Sequence, residues 1–139
     1  MKKGILTFGF TCLVISAFAQ NTLDIVQGKW YTGGSLSLMN NDSMFLYRDS
    51  LEVIMHCQSA YVDFQGNEME AVMQYSDTCS SPRSNLYQQG KTITIKYSVS
   101  DDRGFLKLTD ILRNRYGLFT IKTYSNGITL FREKIGRIK

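Results

Sequence analysis

Proline, histidine and tryptophan each occur once in the 139 residues, and cysteine only three times. One proline beside 11 glycines excludes a collagen-like or proline-rich disordered chain. The balance of 43% hydrophobic to 20% charged residues is that of an ordinary globular domain. Histidine His56 stands alone, and no carboxylate cluster flanks the cysteines, so the ligand set of a zinc site is missing. Charge of one sign is not in excess: 16 Lys and Arg face 12 Asp and Glu, and two of the lysines, Lys2 and Lys3, lie at the extreme N-terminus. Nucleic-acid binding has no support in that balance. Long apolar runs are absent except from Gly4 to Phe18.

That exception has the form of a secretory signal peptide: Met1-Lys2-Lys3, then the apolar run, then Ala17-Phe18-Ala19 before Gln20. The run is shorter than the roughly 20 residues a membrane span needs. Anchoring through Cys12 is not expected, because Gly9-Phe10-Thr11 lacks the aliphatic-then-small pattern that precedes a lipoprotein cysteine. Residues 1–19 are therefore expected to be removed, leaving a single monomeric domain, 20–139, in the periplasm or secreted, with a basic tail over 134–139. Two cysteines remain, Cys57 and Cys79, and an even count in an oxidising compartment reads as a disulfide. Its closure would stabilise the fold by about 3 kcal/mol in the chain-entropy model. Two free buried thiols are the alternative.

After Thr22 to Val26, which can form one capped helical turn, the chain reads as short β-branched and aromatic segments broken by turn residues. The predicted strands are Lys29 to Met39, Ser43 to Arg48, Leu51 to Cys57, Ala60 to Gln65, Glu68 to Tyr75, Lys91 to Ser98, Gly104 to Leu112, Leu118 to Tyr124 and Ile128 to Glu133. Short links between so many strands imply an antiparallel meander. Asn126-Gly127 suits a type I′ hairpin turn, pairing Thr123 with Leu130 and placing Phe119, Ile121, Ile128 and Leu130 on one face. Alternation likewise sends Met69, Ala71, Met73 and Tyr75 inward, with Ile93, Ile95 and Tyr97 on the strand that follows. Such one-sided alternation, strand after strand, belongs to a closed barrel or a sandwich, and periodicity alone does not separate them.

Gly28-Lys29-Trp30 directly after a helical turn is similar to the G-x-W opening of lipocalins and of shorter bacterial lipocalin-like domains. The order of later features strengthens the resemblance: Tyr61 to Phe64 before Gly66-Asn67, Gly90 before Thr92 to Ile95, and Phe119 to Ile121 leading to Ile128 to Phe131. The resemblance covers about residues 22 to 133 and implies an all-β barrel of roughly eight strands. It also implies a basic residue of the last strand laid over the Trp at the closed end, which matches Arg132. Bacterial lipocalin-like domains often carry one cysteine before the middle hairpin and one after it, as Cys57 and Cys79 do.

Chemistry is thinly represented. His56 adjoins Cys57, but a crosslinked cysteine is no nucleophile. No G-x-S-x-G, H-E-x-x-H, phosphate-loop or dinucleotide glycine pattern occurs. Glu68 and Glu70 fit a solvated strand face, and Asp101-Asp102 fits a turn. No enzyme, metal site or cofactor is expected. Inward Phe64, Met69, Met73, Tyr75, Ile93, Ile95 and Tyr97 combine adaptable methionines with polar-tipped tyrosines, a lining suited to a small, mainly apolar ligand. A module that binds proteins through loops such as Ser76 to Gly90 is the alternative. The disulfide is checked by thiol titration of the unfolded, unreduced protein lacking residues 1–19: no free thiol is expected, and two reactive thiols would exclude the bond.

Overall fold

The computed structural model describes residues 21–33, 38–50, 58–75 and 90–139. Asn21 caps helix α1 (Thr22–Val26), its side chain accepting from the Leu23 amide. Strand β1 (Gly28–Tyr31) follows, then a 3-10 turn (Leu38–Asn40) and β2 (Ser43–Tyr47). The remaining strands are β3 (Gln58–Gln65), β4 (Glu68–Tyr75), β5 (Thr92–Asp102), β6 (Phe105–Asp110), β7 (Arg115–Thr123) and β8 (Gly127–Arg137).

All eight close into one antiparallel barrel in the order β1-β2-β8-β7-β6-β5-β4-β3, which decides for a barrel over a sandwich. From β3 to β8 it is an uninterrupted meander. At the seam β1 stands between β2 and β3, because β2 and β3 both run antiparallel to β1 and so point the same way. They cannot be antiparallel neighbours, and β1 separates them in the ring. This arrangement is compatible with a lipocalin-like fold.

Several expected boundaries move. The strand expected over Lys29 to Met39 stops at Tyr31, and Leu38 and Met39 turn into the core instead. The expected strand Leu51 to Cys57 lies outside the described residues, as do Cys79 and most of the link from Ser76 to Gly90. Lys134 to Arg137 is no tail: it continues β8, because Arg137 pairs with Arg115 beyond a register shift at Leu118/Phe119. The last hairpin turns at Ser125-Asn126, with the Tyr124 amide donating to the Gly127 carbonyl and Thr123 pairing with Ile128. A slip of two residues keeps every side chain on its expected face, and Phe119, Ile128 and Leu130 are buried. Gly127 is therefore not a left-handed turn residue; it lies against the Leu46 carbonyl, where a side chain has no room.

One end of the barrel is sealed by α1. The Trp30 indole N–H donates to the Val26 carbonyl at 2.6 Å. The Gln27 side-chain amide grips the β3–β4 turn, donating to the Gly66 carbonyl at 3.2 Å and accepting from the Gly66 amide at 2.9 Å. Thr22 donates to Asp101 at 2.5 Å. That bond, with the Gly104 amide, holds the Asp101 carboxyl below its ordinary pKa.

The cation over Trp30 is Arg48, its guanidinium carbon 3.4 Å from the ring centroid and its Nη1 donating to the Gln27 carbonyl. Arg132, the expected partner, donates instead to the Met39 carbonyl and pairs with Asp42. The β2–β8 register is the reason. Ser43 pairs with Phe131 and Tyr47 with Gly127, so Arg132 falls beside Asp42 at one end of β2 while Arg48 leaves the other. Arg48→Ala should shift Trp30 fluorescence and lower unfolding stability by about 1 kcal/mol. Arg132→Ala should leave Trp30 emission unchanged, and a shift equal to that of Arg48→Ala would contradict this placement.

Candidate functional site

The seven expected lining residues do share the inner face of β3, β4 and β5, but on successive rungs. Phe64, Met69 and Tyr97 form the rung nearest α1, and Ile95 follows beside Ala71. Next come Met73 and Ile93 beside Ala60, and then Tyr75 beside Gln58. Burial is lower beyond the first rung. Phe64, Met69 and Tyr97 are buried in the core; Ile95, Met73 and Tyr75 are partly buried; Ile93 is 40% exposed. Alternation groups them as one lining, yet three belong to the packed interior and four lie toward the end opposite α1.

Other side chains share the interior. Leu38 and Met39 are buried, and Met39 reaches β7 where Gly117 leaves space: a Cβ there would stand 2.9 Å from the Met39 sulfur and 2.6 Å from the Phe119 ring. Leu106, Leu108, Ile128 and Leu130 complete the core across the barrel.

Within this apolar interior Tyr97 carries a buried hydroxyl with no hydrogen-bond partner among the described residues. The register that pairs Ser98 with Thr109 makes Asp110 its neighbour across to β6. Asp110 is itself buried, and its carboxylate accepts from the Arg113 amide and from Arg113 Nη1, both at 3.0 Å. Burial first, and the Asp110 charge second, push the Tyr97 phenol above its ordinary pKa, with Arg113 opposing. The phenol is therefore neutral at physiological pH and can both donate and accept. Leaving such a group unpaired costs about 1–3 kcal/mol.

The remaining polar candidates are accounted for locally. Glu70 pairs with Lys96 on the solvated face at 2.8 Å, and Asp101 serves the Arg103-Gly104 turn. Among the described residues no three His, Cys, Asp or Glu side chains gather to hold a metal ion. His56, Cys57 and Cys79 lie outside the described residues.

Sequence reasoning missed Asp110, read as the interior of a longer strand, and Arg48, read as a strand end. It also missed an aromatic ladder on the outer face, where Phe45 lies 4.5 Å from Tyr47 and 5.4 Å from Tyr124 between ring centroids. Asp110 had one available signal, an acid at an inward position of an alternating strand.

No protein-family model, curated protein or solved structure matches the chain. The likeness to lipocalins therefore rests on barrel closure and on the G-x-W opening.

Met69→Ala and Met73→Ala test the division between the packed core and the less buried rungs. Met69→Ala should cost roughly 2–5 kcal/mol through cavity formation, and Met73→Ala clearly less. Equal losses in denaturant unfolding would mean that the interior is packed alike along its length.

Proposed function

We propose that this chain is an exported lipocalin-like barrel that binds a small, mainly apolar ligand carrying one polar group, with the apolar part toward Met73, Tyr75, Ile93 and Ile95. The observation that carries the reading is the Tyr97 hydroxyl, buried and unpaired below those partly exposed apolar side chains. A ligand hydroxyl, carbonyl or carboxyl reaching Tyr97 would satisfy it, and this is how mainly apolar pockets orient what they hold. Arg113, which also approaches the phenol, is engaged by Asp110 through its amide and its guanidinium, which leaves the phenol open to a ligand. Polar selectivity would thus reside in one side chain, and affinity in the apolar contacts around it.

The reading is tested with Tyr97→Phe and a fluorescent fatty acid such as cis-parinaric acid. The wild-type protein should bind the probe saturably. The variant should bind about tenfold more weakly, the loss of one hydrogen bond, while unfolding at the same or a higher denaturant concentration because an unpaired buried hydroxyl has gone. A wild-type protein that binds neither this probe nor a neutral apolar one overturns the ligand reading. Equal affinity of both proteins removes Tyr97 as the anchor.

A further inference from the structure

The β6–β7 turn exposes apolar surface at the end of the barrel opposite α1. Leu112 is 93% exposed, Ile111 67% and neighbouring Ile138 36%. Exposed aliphatic side chains in sequence are ordinary in a frayed loop, but this turn is held by four hydrogen bonds. Asp110 accepts from the amide and the guanidinium of Arg113, the Asn114 amide donates to the Ile111 carbonyl, and the Ile138 amide donates to the Asn114 carbonyl. Asn114 takes a positive φ of 53° to close it. The backbone is thus built to present two aliphatic side chains outward.

The two segments that form this turn and the strand end beside it carry charge of one sign. Residues 111–116 and 134–139 hold five cations, Arg113, Arg115, Lys134, Arg137 and Lys139, and no carboxylate side chain. The acid that adjoins the turn, Asp110, is buried and occupied by Arg113. Arg115 and Arg137 face each other on the last rung of β7 and β8, one step behind the turn. The tip stands on the order of 5 Å beyond that rung, at about 3.3 Å per residue. Apolar side chains foremost, with a ring of cations just behind, match the layering of a bilayer surface, where interfacial segments bury apolar groups about 5–10 Å deep beneath anionic headgroups. A protein partner fits less well, because a stable interface needs about 800 Å² per side and the exposed aliphatic side chains here are three, Ile111, Leu112 and Ile138.

We propose that the β6–β7 turn docks this protein onto anionic lipid bilayers, Ile111 and Leu112 entering the headgroup layer and Arg115, Arg137 and Lys139 contacting phosphates. The proposal does not rest on the ligand reading. Docking in this orientation would turn the end bearing Met73 and Ile93 toward the lipid.

The test is co-sedimentation of the protein without residues 1–19 with vesicles of phosphatidylglycerol and phosphatidylcholine, or of phosphatidylcholine alone. Binding is expected to the anionic vesicles, to weaken with added salt, and to be at least tenfold weaker on phosphatidylcholine. The double variant Ile111→Ser with Leu112→Ser should bind roughly tenfold or more weakly, because it removes the apolar insertion. Its thermal unfolding should match the wild type, since both side chains are exposed. Arg137→Gln with Lys139→Gln should weaken binding and flatten its salt dependence. Absence of wild-type binding to anionic vesicles overturns the proposal, and is the outcome expected if the tip serves a protein partner. Anionic-vesicle binding that the Ile111/Leu112 variant retains in full also overturns it. Neither result depends on whether the barrel interior binds a fatty acid.

Discussion

Trp30 is the side chain on which the sealed end of the barrel depends. Its indole N–H is spent on the Val26 carbonyl, so the last turn of α1 is fastened to the first strand, and Arg48 lies flat over the ring. Between them stands Gly28 at φ +94°, a conformation that side chains disfavour, and a Cβ there would come within 3.2 Å of the Arg48 guanidinium. The G-x-W tripeptide thus has a physical reading: the glycine admits the bend and the arginine, and the tryptophan fills and fastens the end. With α1 held in place, Gln27 reaches the β3–β4 turn and Thr22 reaches the end of β5. A single five-residue helix thereby ties three separate parts of the ring together.

The opposite end is organised by a buried acid. Asp110 holds the β6–β7 turn through Arg113, and the stagger of β5 against β6 sets it beside Tyr97, whose unpaired hydroxyl belongs to the rung nearest α1. Polar groups in an apolar interior are costly unless satisfied. The molecule satisfies the carboxylate internally and leaves the phenol. The barrel is accordingly asymmetric along its axis, with a well-packed half under α1 and a half whose apolar side chains are only partly buried. Met39, pressed into the space left by Gly117, fills part of the interior from the β1–β2 connection.

The inner and outer faces of β3 to β8 were legible because side-chain direction in a strand is a local property with period two. Met69, Met73, Ile93, Ile95 and Tyr97 all point inward as alternation requires, and the two-residue slip at Ser125-Asn126 left the faces of β7 and β8 unchanged. Burial along a strand was not legible in the same way. Ile93 and Tyr97 carry the same alternation signal, yet one is 40% exposed and the other 3%. Depth depends on which rung of the ring a residue occupies and on what closes that end. Arg132 illustrates the same limit: its inward parity was readable, its partner was not, because Asp42 is brought to it only by the β2–β8 pairing.

Local patterning alone was enough to establish that the chain is all-β, that its turns fall at Gly66-Asn67, Arg103-Gly104 and near Asn126, and which side of each strand is apolar. Each of these follows from neighbours a few residues apart, through backbone freedom at glycine and asparagine and through the pleat of the strand. Tertiary structure alone decided that the sheet closes into a ring rather than packing as a sandwich, that β1 separates β2 from β3, and that Arg48 covers Trp30. Those outcomes turn on strand direction and register between segments up to about a hundred residues apart, where hydrogen bonds and side-chain contacts are settled only when the last strand meets the second.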